Sequence, residues 1–204
     1  MNKTIVNKTI IDSLKLRRSQ YDLSKETTLN EQQLQAIIEG ALLHTPTAYN
    51  SQSGRLVVLL NQEHDALWDI VLAALKPLVG PKGWAKTEAK VNAFKQAYGT
   101  ILFFEEEAIV KQLQEQFPLY KENFALWSMQ SAGMLNLVVW TALAEAGMGA
   151  SLQHYNPLID EAVKARFNLP ASWRLIAQMP FGVPKSAPDE KEFDPIQDRY
   201  RIFK

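Results

Sequence analysis

Residues 123–146 carry apolar side chains on more than one side, and this stretch limits the possible folds more than any other. A surface helix of a single domain has one apolar stripe, so a helix that is apolar on several sides needs cover from several directions. We therefore predict a long helix that is buried by its own domain and a partner subunit together. Its methionines and tryptophans are interpreted as packing residues rather than as a cofactor site.

The overlapping segment of residues 132–150 is the longest apolar stretch, but polar residues and three glycines interrupt it. A membrane span needs ~20 mostly apolar residues, so we interpret the segment as a helix buried in protein. The N-terminus lacks the unbroken apolar centre of a signal peptide. We therefore expect a cytoplasmic protein without a membrane partner.

The composition favours one domain with a small ligand. A chain of 204 residues can bury a sizeable core, and we predict a single domain over residues 1–204. Lysine plus arginine and aspartate plus glutamate number 22 each, so no net charge attracts nucleic acid. The absence of cysteine excludes disulfides, thiolate metal sites and a cysteine nucleophile. The three histidines lack metal-ligand spacing, so we predict no metal site.

Hydrophobic periodicity predicts a mixture of helices and strands. Consecutive acids at Glu105, Glu106 and Glu107 are interpreted as favourable charges that open a helix, with no chemical role.

Residues 185–204 are too polar to pack alone. Residues 198–203 nevertheless have an amphipathic pattern that could pair with a sheet edge, so we expect this tail to dock on another surface. Helices are predicted at about residues 5–16, 30–43, 64–78, 86–98, 123–146 and 157–167, and strands at 55–60, 100–104 and 173–182.

Residues 44–55 form a polar turn between a predicted helix and a predicted strand. Pro46 removes a backbone donor and disfavours helix at Thr45, so the helix stops here. Asn50 and Gln52 are then held on loop backbone, where each carboxamide offers a donor and an acceptor to the edge of a planar heterocycle. Taken alone, the loop is better interpreted as a solvated connection.

Two further clusters have the residue types of a ligand site. Arg17, Arg18 and Ser19 form a plausible phosphate clamp, because guanidinium donors match phosphate oxygens. Asn92 and Lys95 lie three residues apart and therefore on one face of a predicted helix. Paired surface arginines and a solvated helix face are the alternatives.

The chain resembles the nitroreductase family of flavoproteins over nearly its whole length, and within it the small bacterial and fungal fatty-acid-repression-mutant-type and copper-induced nitroreductases. The resemblance implies an α+β fold, in which a central mixed, mostly antiparallel sheet lies between helices. It also implies an intertwined homodimer with an exchanged C-terminal segment and FMN at two sites in the subunit interface. The runs that carry it are residues 17–19, 45–52, 99–105, 117–120, 147–149, 152–160 and 179–182.

The resemblance also implies which residues contact the flavin. Two positions depart from the family pattern: Tyr21 replaces a common basic residue against the flavin, and Ser53 replaces a common proline. By motif position, the phosphate and ribityl chain would face Arg17, Arg18 and Ser19, and the phosphate site would be completed by Arg199, with Lys185 and Arg201 as weaker candidates. The ring would be lined by Thr47, Ala48, Asn50 and Gln52 of the neighbouring subunit. The pyrimidine edge of the ring would contact Asn92 and Lys95, and N5 would lie near Gln153 and His154.

The implied activity is a ping-pong oxidoreductase reaction in which NADH or NADPH reduces FMN and a nitroaromatic, a quinone or a similar acceptor reoxidises it. The flavin carries the hydride chemistry, so the protein must orient the ring and stabilise negative charge near N1, for which Lys95 is the catalytic candidate. The alternative is a flavin-binding regulatory or interaction protein with little turnover, linked to lipids or to a stress response. For His154 taken alone, a structural histidine is the favoured interpretation.

Overall fold

The computed structural model describes residues 9–204 and has an α+β fold. The start of the first predicted helix lies outside these residues. Short 3-10 turns occur at Ala48–Asn50, Pro118–Tyr120 and Ile196–Asp198. The helices and strands in chain order are α1 (Ile10–Leu16), α2 (Glu31–His44), β1 (Gly54–Leu60), α3 (Asn61–Leu75), α4 (Pro81–Lys95), β2 (Gly99–Glu106), α5 (Glu107–Gln116), α6 (Lys121–Glu145), β3 (Gly149–Ala150), α7 (Asp160–Phe167) and β4 (Trp173–Gly182).

The four strands form one sheet in the order β1-β2-β4-β3, and each neighbouring pair is antiparallel. A single parallel bridge joins Ser19 to Ala150 outside these strands. The sheet is thus mostly antiparallel with one parallel contact, as predicted. Strand β2 lies in the middle and is buried along nearly all its length.

Alternation along β2 divides the core into two layers, because successive side chains of a strand point to opposite faces. Ile101 and Phe103 pack with residues of α2 and α6 on one face. Leu102 and Phe104 pack with residues of α3, α4 and α7 on the other face. Burial of this apolar surface, at about 25 cal/mol per Å², holds the helices on both sides of the sheet.

Helix α6 is apolar on more than one side, as the sequence predicted. Leu135, Val139 and Leu143 are buried against the sheet. A second set of large apolar residues on the same helix is exposed to 39–59% in the single chain: Leu126, Met129, Met134, Leu137 and Val138. One chain therefore covers only one side of this helix. Over residues 9–204, the structure has no helix that is long and apolar enough to span a membrane.

The starts of α4 and α7 differ from the sequence-based expectation, as do both ends of α3. Helix α4 begins at Pro81 rather than near residue 86, because proline fits the first helical position, where no backbone donor is needed. Helix α7 begins at Asp160 rather than at Pro157. Local turn chemistry, not hydrophobic periodicity, sets the starts of α4 and α7.

The three consecutive acids do not share one role. Glu107 begins α5, and the Glu106 side chain accepts a hydrogen bond from the Ala108 N–H. Glu105 belongs to β2 and is only 1% exposed. The interpretation of all three as helix-opening charges was therefore wrong for Glu105.

The C-terminal tail does not extend the sheet. Residues 191–204 are exposed, and their one regular feature is the turn Ile196–Asp198. Within residues 9–204 of one chain, residues 198–203 pair with no sheet edge, and docking of the tail on a partner subunit stays a prediction. Exposed Phe193, Ile202 and Phe203 leave the tail with apolar side chains that its own domain does not cover.

Candidate functional site

The segment after α1 lies along the end of the sheet. Ser19 bridges Ala150, and the Gln20 N–H donates to the Ala150 carbonyl at 2.9 Å. Farther along, the Ser24 N–H donates to Val183 O at 2.9 Å, and the Lys185 N–H donates to Asp22 O at 2.9 Å. Residues 19–24 are thus bonded to β3 and to the chain that follows β4.

Glycine makes this close approach possible. A Cβ atom at Gly149 would lie 2.9 Å from atoms of Gln20, Leu23 and Pro184. Gly147, two residues earlier, has a φ of 78°, which side-chain-bearing residues rarely adopt. The Gly-Met-Gly run that follows α6 therefore allows residues 17–24, the arginine segment, to pack closely on the sheet.

A cavity of about 420 Å³ separates residues 17–22 from residues 186–191. Arg17, Arg18, Ser19 and Tyr21 all line it, so the structure brings these four predicted residues together. Tyr21 is 56% exposed, and its ring therefore remains largely free of the domain core.

Among residues 9–204, neither arginine forms an ion pair, although Asp22 and Asp189 also line the cavity. The Arg17 guanidinium lies 4.3 Å from the centre of the Trp140 ring, and Arg18 donates to the Asp189 carbonyl. Burial, followed by repulsion from Arg18, lowers the pKa of Arg17. Two adjacent cations held on an aromatic ring and a neutral carbonyl favour a phosphate-like anion as a further partner.

The other basic candidates lie in the C-terminal segment. The Lys185 Nζ atom is 3.8 Å from an Asp22 carboxylate oxygen, beside the arginine segment. Arg201 donates to the carbonyls of Gln197 and Tyr200, at 2.7 and 2.9 Å, within the exposed tail. Arg199 is exposed in the same tail. The structure brings Lys185 to the arginine segment, and Arg199 and Arg201 contribute no lining to its cavity.

The loop that follows α2 is held in an unusual conformation. Tyr49, Asn50 and Gln52 have φ angles of 56°, 50° and 49°, in the left-handed region that costs energy for most residues. The Gln52 N–H donates to Thr47 Oγ1 at 3.0 Å, and the Asn50 N–H donates to Thr47 O at 3.0 Å. Thr47 therefore fixes the carboxamide positions around Ala48.

The ring of Tyr49 helps to hold that conformation. Its centre is 4.9 Å from the Phe117 ring and 5.3 Å from the Phe124 ring. Such aromatic pairs are worth about 0.5–1.5 kcal/mol beyond their area burial. They offset part of the backbone strain and tie the loop to the start of α6.

A second cavity, of about 230 Å³, lies beside this loop. Thr47 and Gln52 line it, together with Arg55 and Glu105. The Arg55 guanidinium donates to the carbonyls of Gln52 and Gly54, at 2.8 and 2.9 Å. The loop cavity shares no lining residue with the cavity beside Arg17 and Arg18.

Sequence reasoning missed Glu105, and strand alternation was the signal that could have found it. Glu105 lies on the same face of β2 as Ile101 and Phe103, and its Oε1 atom has no hydrogen-bond partner. Burial raises the pKa of its carboxyl, opposed by a hydrogen bond from Ser53 and by Arg174 and Arg55. The loop cavity is thus bordered by a buried carboxyl whose pKa is raised by burial.

Lys95 ends α4, and its Nζ atom lies 2.6 Å from an oxygen of Asp69 on α3. The backbone carbonyl of Lys95 lies 3.3 Å from His64 Nε2. Asn92 is exposed on the preceding turn. Neither Asn92 nor Lys95 lines the two cavities described above.

Gln153 and His154 follow β3 and lie beside β4. The Gln153 backbone forms both hydrogen bonds of a bridge with Gln178, at 2.7 and 2.9 Å. The Gln153 side chain is buried and donates to Ser151 Oγ at 3.0 Å, whereas His154 is exposed. His154 is therefore not a buried structural histidine.

The part of the chain that the structure describes contains no cluster of His, Asp and Glu suited to a metal ion. Its predicted residues instead form an arginine cavity, a strained carboxamide loop and an anchored strand end. These features suit a site for an organic anion with a planar group. Comparison with known proteins shows to which family the chain belongs.

The model of the nitroreductase family matches residues 14–183 of this chain. The chain belongs to the nitroreductase family. Nitroreductase FRM2 of Saccharomyces cerevisiae is 32% identical over 185 residues, which cover 90% of this chain and 92% of FRM2. The family membership and the fatty-acid-repression-mutant-type resemblance predicted from the sequence are thus confirmed.

Solved nitroreductases share the fold. Nitroreductase CinD from Lactococcus lactis in complex with chloramphenicol has a TM-score of 0.88 and 47% identity, over 96% of this chain and 100% of the CinD chain. A nitroreductase with bound FMN from Desulfitobacterium hafniense has a TM-score of 0.69 at 19% identity, over 94% of this chain and 98% of that chain. The nitroreductase-like fold is therefore confirmed, and the chain is a nitroreductase-type oxidoreductase by family.

Proposed function

We propose that this nitroreductase family member is an FMN-dependent NAD(P)H oxidoreductase that reduces nitroaromatics, quinones or similar acceptors by a ping-pong mechanism. The observation that carries the proposal is the cavity in which Arg17, Arg18 and Ser19 meet residues 186–191. CinD, at 48% identity, has been solved in complex with 4-nitrophenol, which supports a nitroaromatic acceptor.

The residues of the cavity fit the phosphate end of FMN. Arg17 and Arg18 supply charged donors, and their aromatic and carbonyl partners leave both charges unneutralised. Ser19 adds a hydroxyl, and Lys185 lies on the adjoining segment. Arg199 and Arg201 would reach this site only if the exposed tail folded back or came from a partner subunit.

Each remaining candidate has a task in holding the flavin. FMN, when bound, supplies the hydride chemistry through N5 of its ring. We assign Thr47, Ala48, Asn50 and Gln52 to its planar face. Gln153 and His154 are assigned to the N5 side, and Asn92 with Lys95 to the pyrimidine edge. Lys95 would stabilise negative charge that develops there on reduction.

We propose that the working unit is a homodimer with the site shared between subunits. Within one chain, Arg18 and Thr47 line separate cavities, so a site that uses both needs a second copy. The exposed apolar side of α6 and the exposed apolar residues of the tail support a large contact between two copies. In a two-fold dimer, each patch then occurs once in each site.

The central experiment measures cofactor and turnover on the same purified protein. We expect a yellow protein that releases FMN on denaturation and oxidises NADH or NADPH when 4-nitrophenol, chloramphenicol or a quinone is added. Parallel lines in double-reciprocal plots would support the ping-pong order. A protein that refuses added FMN contradicts the proposal, and FMN binding without turnover favours the regulatory alternative.

A second experiment tests the phosphate site. Arg18→Ala should weaken FMN binding by about 1.5–3 kcal/mol, the range for a hydrogen bond to a charged group, while riboflavin affinity falls much less. Lys86→Ala, which removes a charge from an exposed position of α4, is the matched control. Equal losses for FMN and riboflavin would remove Arg18 from the phosphate site.

A mixed-dimer experiment tests the shared site. If Arg18 pairs with Asn50 of the partner subunit, a dimer of Arg18→Ala with Asn50→Ala carries both lesions in one pocket and none in the other. Random exchange makes about half of the dimers mixed, so activity should recover to about a quarter of wild type. If subunit exchange is verified by tags and the activity of the mixture still equals the average of the two parent variants, both residues lie in one subunit's pocket.

A further inference from the structure

Trp140 connects the arginine segment to the hydrophobic core. It lies in the C-terminal half of α6, and its half-buried ring packs against the core layer that contains Val139 and Leu143. The Arg17 guanidinium lies over this ring, 4.3 Å from its centre. Trp140 itself lines neither of the two cavities described above. Any effect that it has on a ligand of the arginine cavity therefore passes through Arg17.

Stacking on an aromatic ring orients a guanidinium and leaves its hydrogen-bond donors available. The ring contacts the face of the guanidinium, whereas all five N–H groups lie in the guanidinium plane. A cation over an indole is attracted by the negative face of the ring, and the attraction is stronger where water is excluded. Arg17 lines the cavity that it shares with Arg18, so its edge can donate to an anion bound there while its face stays on Trp140.

The two arginines need separate anchors, because adjacent guanidinium groups repel each other. Arg18 is held by the Asp189 carbonyl, to which it donates a hydrogen bond. Arg17 makes no such bond among residues 9–204, and the Trp140 ring holds it instead. Without the ring, the long side chain of Arg17 could turn away from Arg18 and from the cavity.

We propose that Trp140 is the positioning residue for Arg17, and that it thereby sets how strongly the cavity prefers a flavin with a phosphate group over one without it. This inference rests on the proposed FMN function. It goes further by assigning to the site a residue of α6 that acts through Arg17 rather than on the ligand itself.

The test compares affinity for FMN with affinity for riboflavin, which lacks the phosphate. In Trp140→Leu the ratio of the two affinities should fall by roughly threefold to thirtyfold, the range expected for a cation–π contact. Trp140→Phe keeps an aromatic face and loses no hydrogen bond, because Trp140 Nε1 has no partner among residues 9–204. This variant should retain most of the preference for FMN. If Trp140→Leu does not fold, Trp140→Met removes the aromatic face with a more adaptable side chain.

A double-mutant cycle separates an action through Arg17 from general damage to the fold. Arg17→Met removes the charge and keeps an unbranched side chain over the ring. In this background, Trp140→Leu should leave the ratio of FMN to riboflavin affinity unchanged, because the group through which Trp140 acts is absent.

Trp84→Leu is the matched control, because Trp84 forms a similar contact elsewhere. Lys76 Nζ lies 5.9 Å from the centre of the Trp84 ring, near the start of α4. This variant should keep the wild-type ratio. Nuclear magnetic resonance gives a second readout without flavin. The ring current of Trp140 should shift the side-chain resonances of Arg17 in wild type, and Trp140→Leu should abolish that shift.

The outcomes separate the two proposals. A preference for FMN that survives in Trp140→Leu overturns the positioning role, as does a further loss when Trp140→Leu is added to Arg17→Met. Unshifted Arg17 resonances in wild type overturn it as well. Equal affinity of wild type for FMN and riboflavin overturns this role and leaves flavin binding intact. Failure of wild type to bind any flavin overturns the proposed function, and with it this role.

Discussion

Replacing Thr100 by valine should destabilise the fold strongly, because its hydroxyl joins two buried side chains, those of Trp68 and His64. Trp68 Nε1 donates to Thr100 Oγ1 at 3.0 Å, and His64 Nδ1 lies 2.9 Å from the same oxygen. The indole can only donate, so the hydroxyl proton of Thr100 is free to bond His64 Nδ1. His64 Nε2 then faces the carbonyl of Lys95 at 3.3 Å, at the end of α4.

Valine matches threonine in shape but leaves the indole N–H and His64 Nδ1 without partners. Each buried polar group left unpaired costs about 1–3 kcal/mol, so the two together cost about 2–6 kcal/mol. That is a large part of a typical total stability of about 5–15 kcal/mol. Thr100→Ser keeps the hydroxyl and should lose only about 1 kcal/mol, for one methyl group.

Urea unfolding of the wild type and both variants measures these differences directly. Equal slopes against urea would show that the variants unfold from comparable folded states. A Thr100→Val protein within about 0.5 kcal/mol of wild type would refute the proposed chain of hydrogen bonds.

Three more predictions concern single ionisable groups. Burial lowers the pKa of His64, so its contribution to stability is present above its unfolded value of 6.5 and is lost as pH falls below it. His64→Gln should therefore show a smaller fall in unfolding free energy between about pH 7.5 and about pH 5; an identical fall would contradict this. Burial raises the pKa of Glu105, so wild type should lose stability relative to Glu105→Gln as pH rises above 4.5, measured by thermal unfolding across pH. Asp69→Asn frees the Lys95 ammonium from its 2.6 Å ion pair and should raise the midpoint potential of bound FMN, whereas Lys95→Met should lower it; redox titration that shows neither shift would remove Lys95 from the flavin.

The layered α+β fold was predictable because its elements have clear hydrophobic periods. Strand β2 was predicted from a continuous apolar run, and α6 was predicted from a long stretch with apolar residues on several sides. The start of α4 was missed because Pro81 and Gly83, which lie in its first turn, were interpreted as residues that end the preceding helix. Alternation in residues 198–203 did not predict the structure of the tail within one chain, because a strand also needs a free sheet edge to pair with.

The candidate site was predictable only where function lies in a short run of residues. Arg17, Arg18 and the loop that contains Asn50 could be recognised in this way. Glu105 lies on β2 among apolar residues, and its place beside the loop cavity depends on the register of β2 with β1. The stacking of Arg17 on Trp140 joins positions far apart in sequence, which no local pattern encodes.

The hydrogen bonds between residues 22–26 and residues 183–185 also set the order in which this protein can be completed during biosynthesis. The Val183 N–H donates to Glu26 O at 3.1 Å, beside the Ser24 and Lys185 bonds. Synthesis proceeds from the N-terminus, so the arginine segment emerges early but gains its final contacts only after residue 185 has left the ribosome. Contacts between such distant residues slow folding, and the cavity beside Arg17 and Arg18 should therefore be among the last parts of the newborn chain to form.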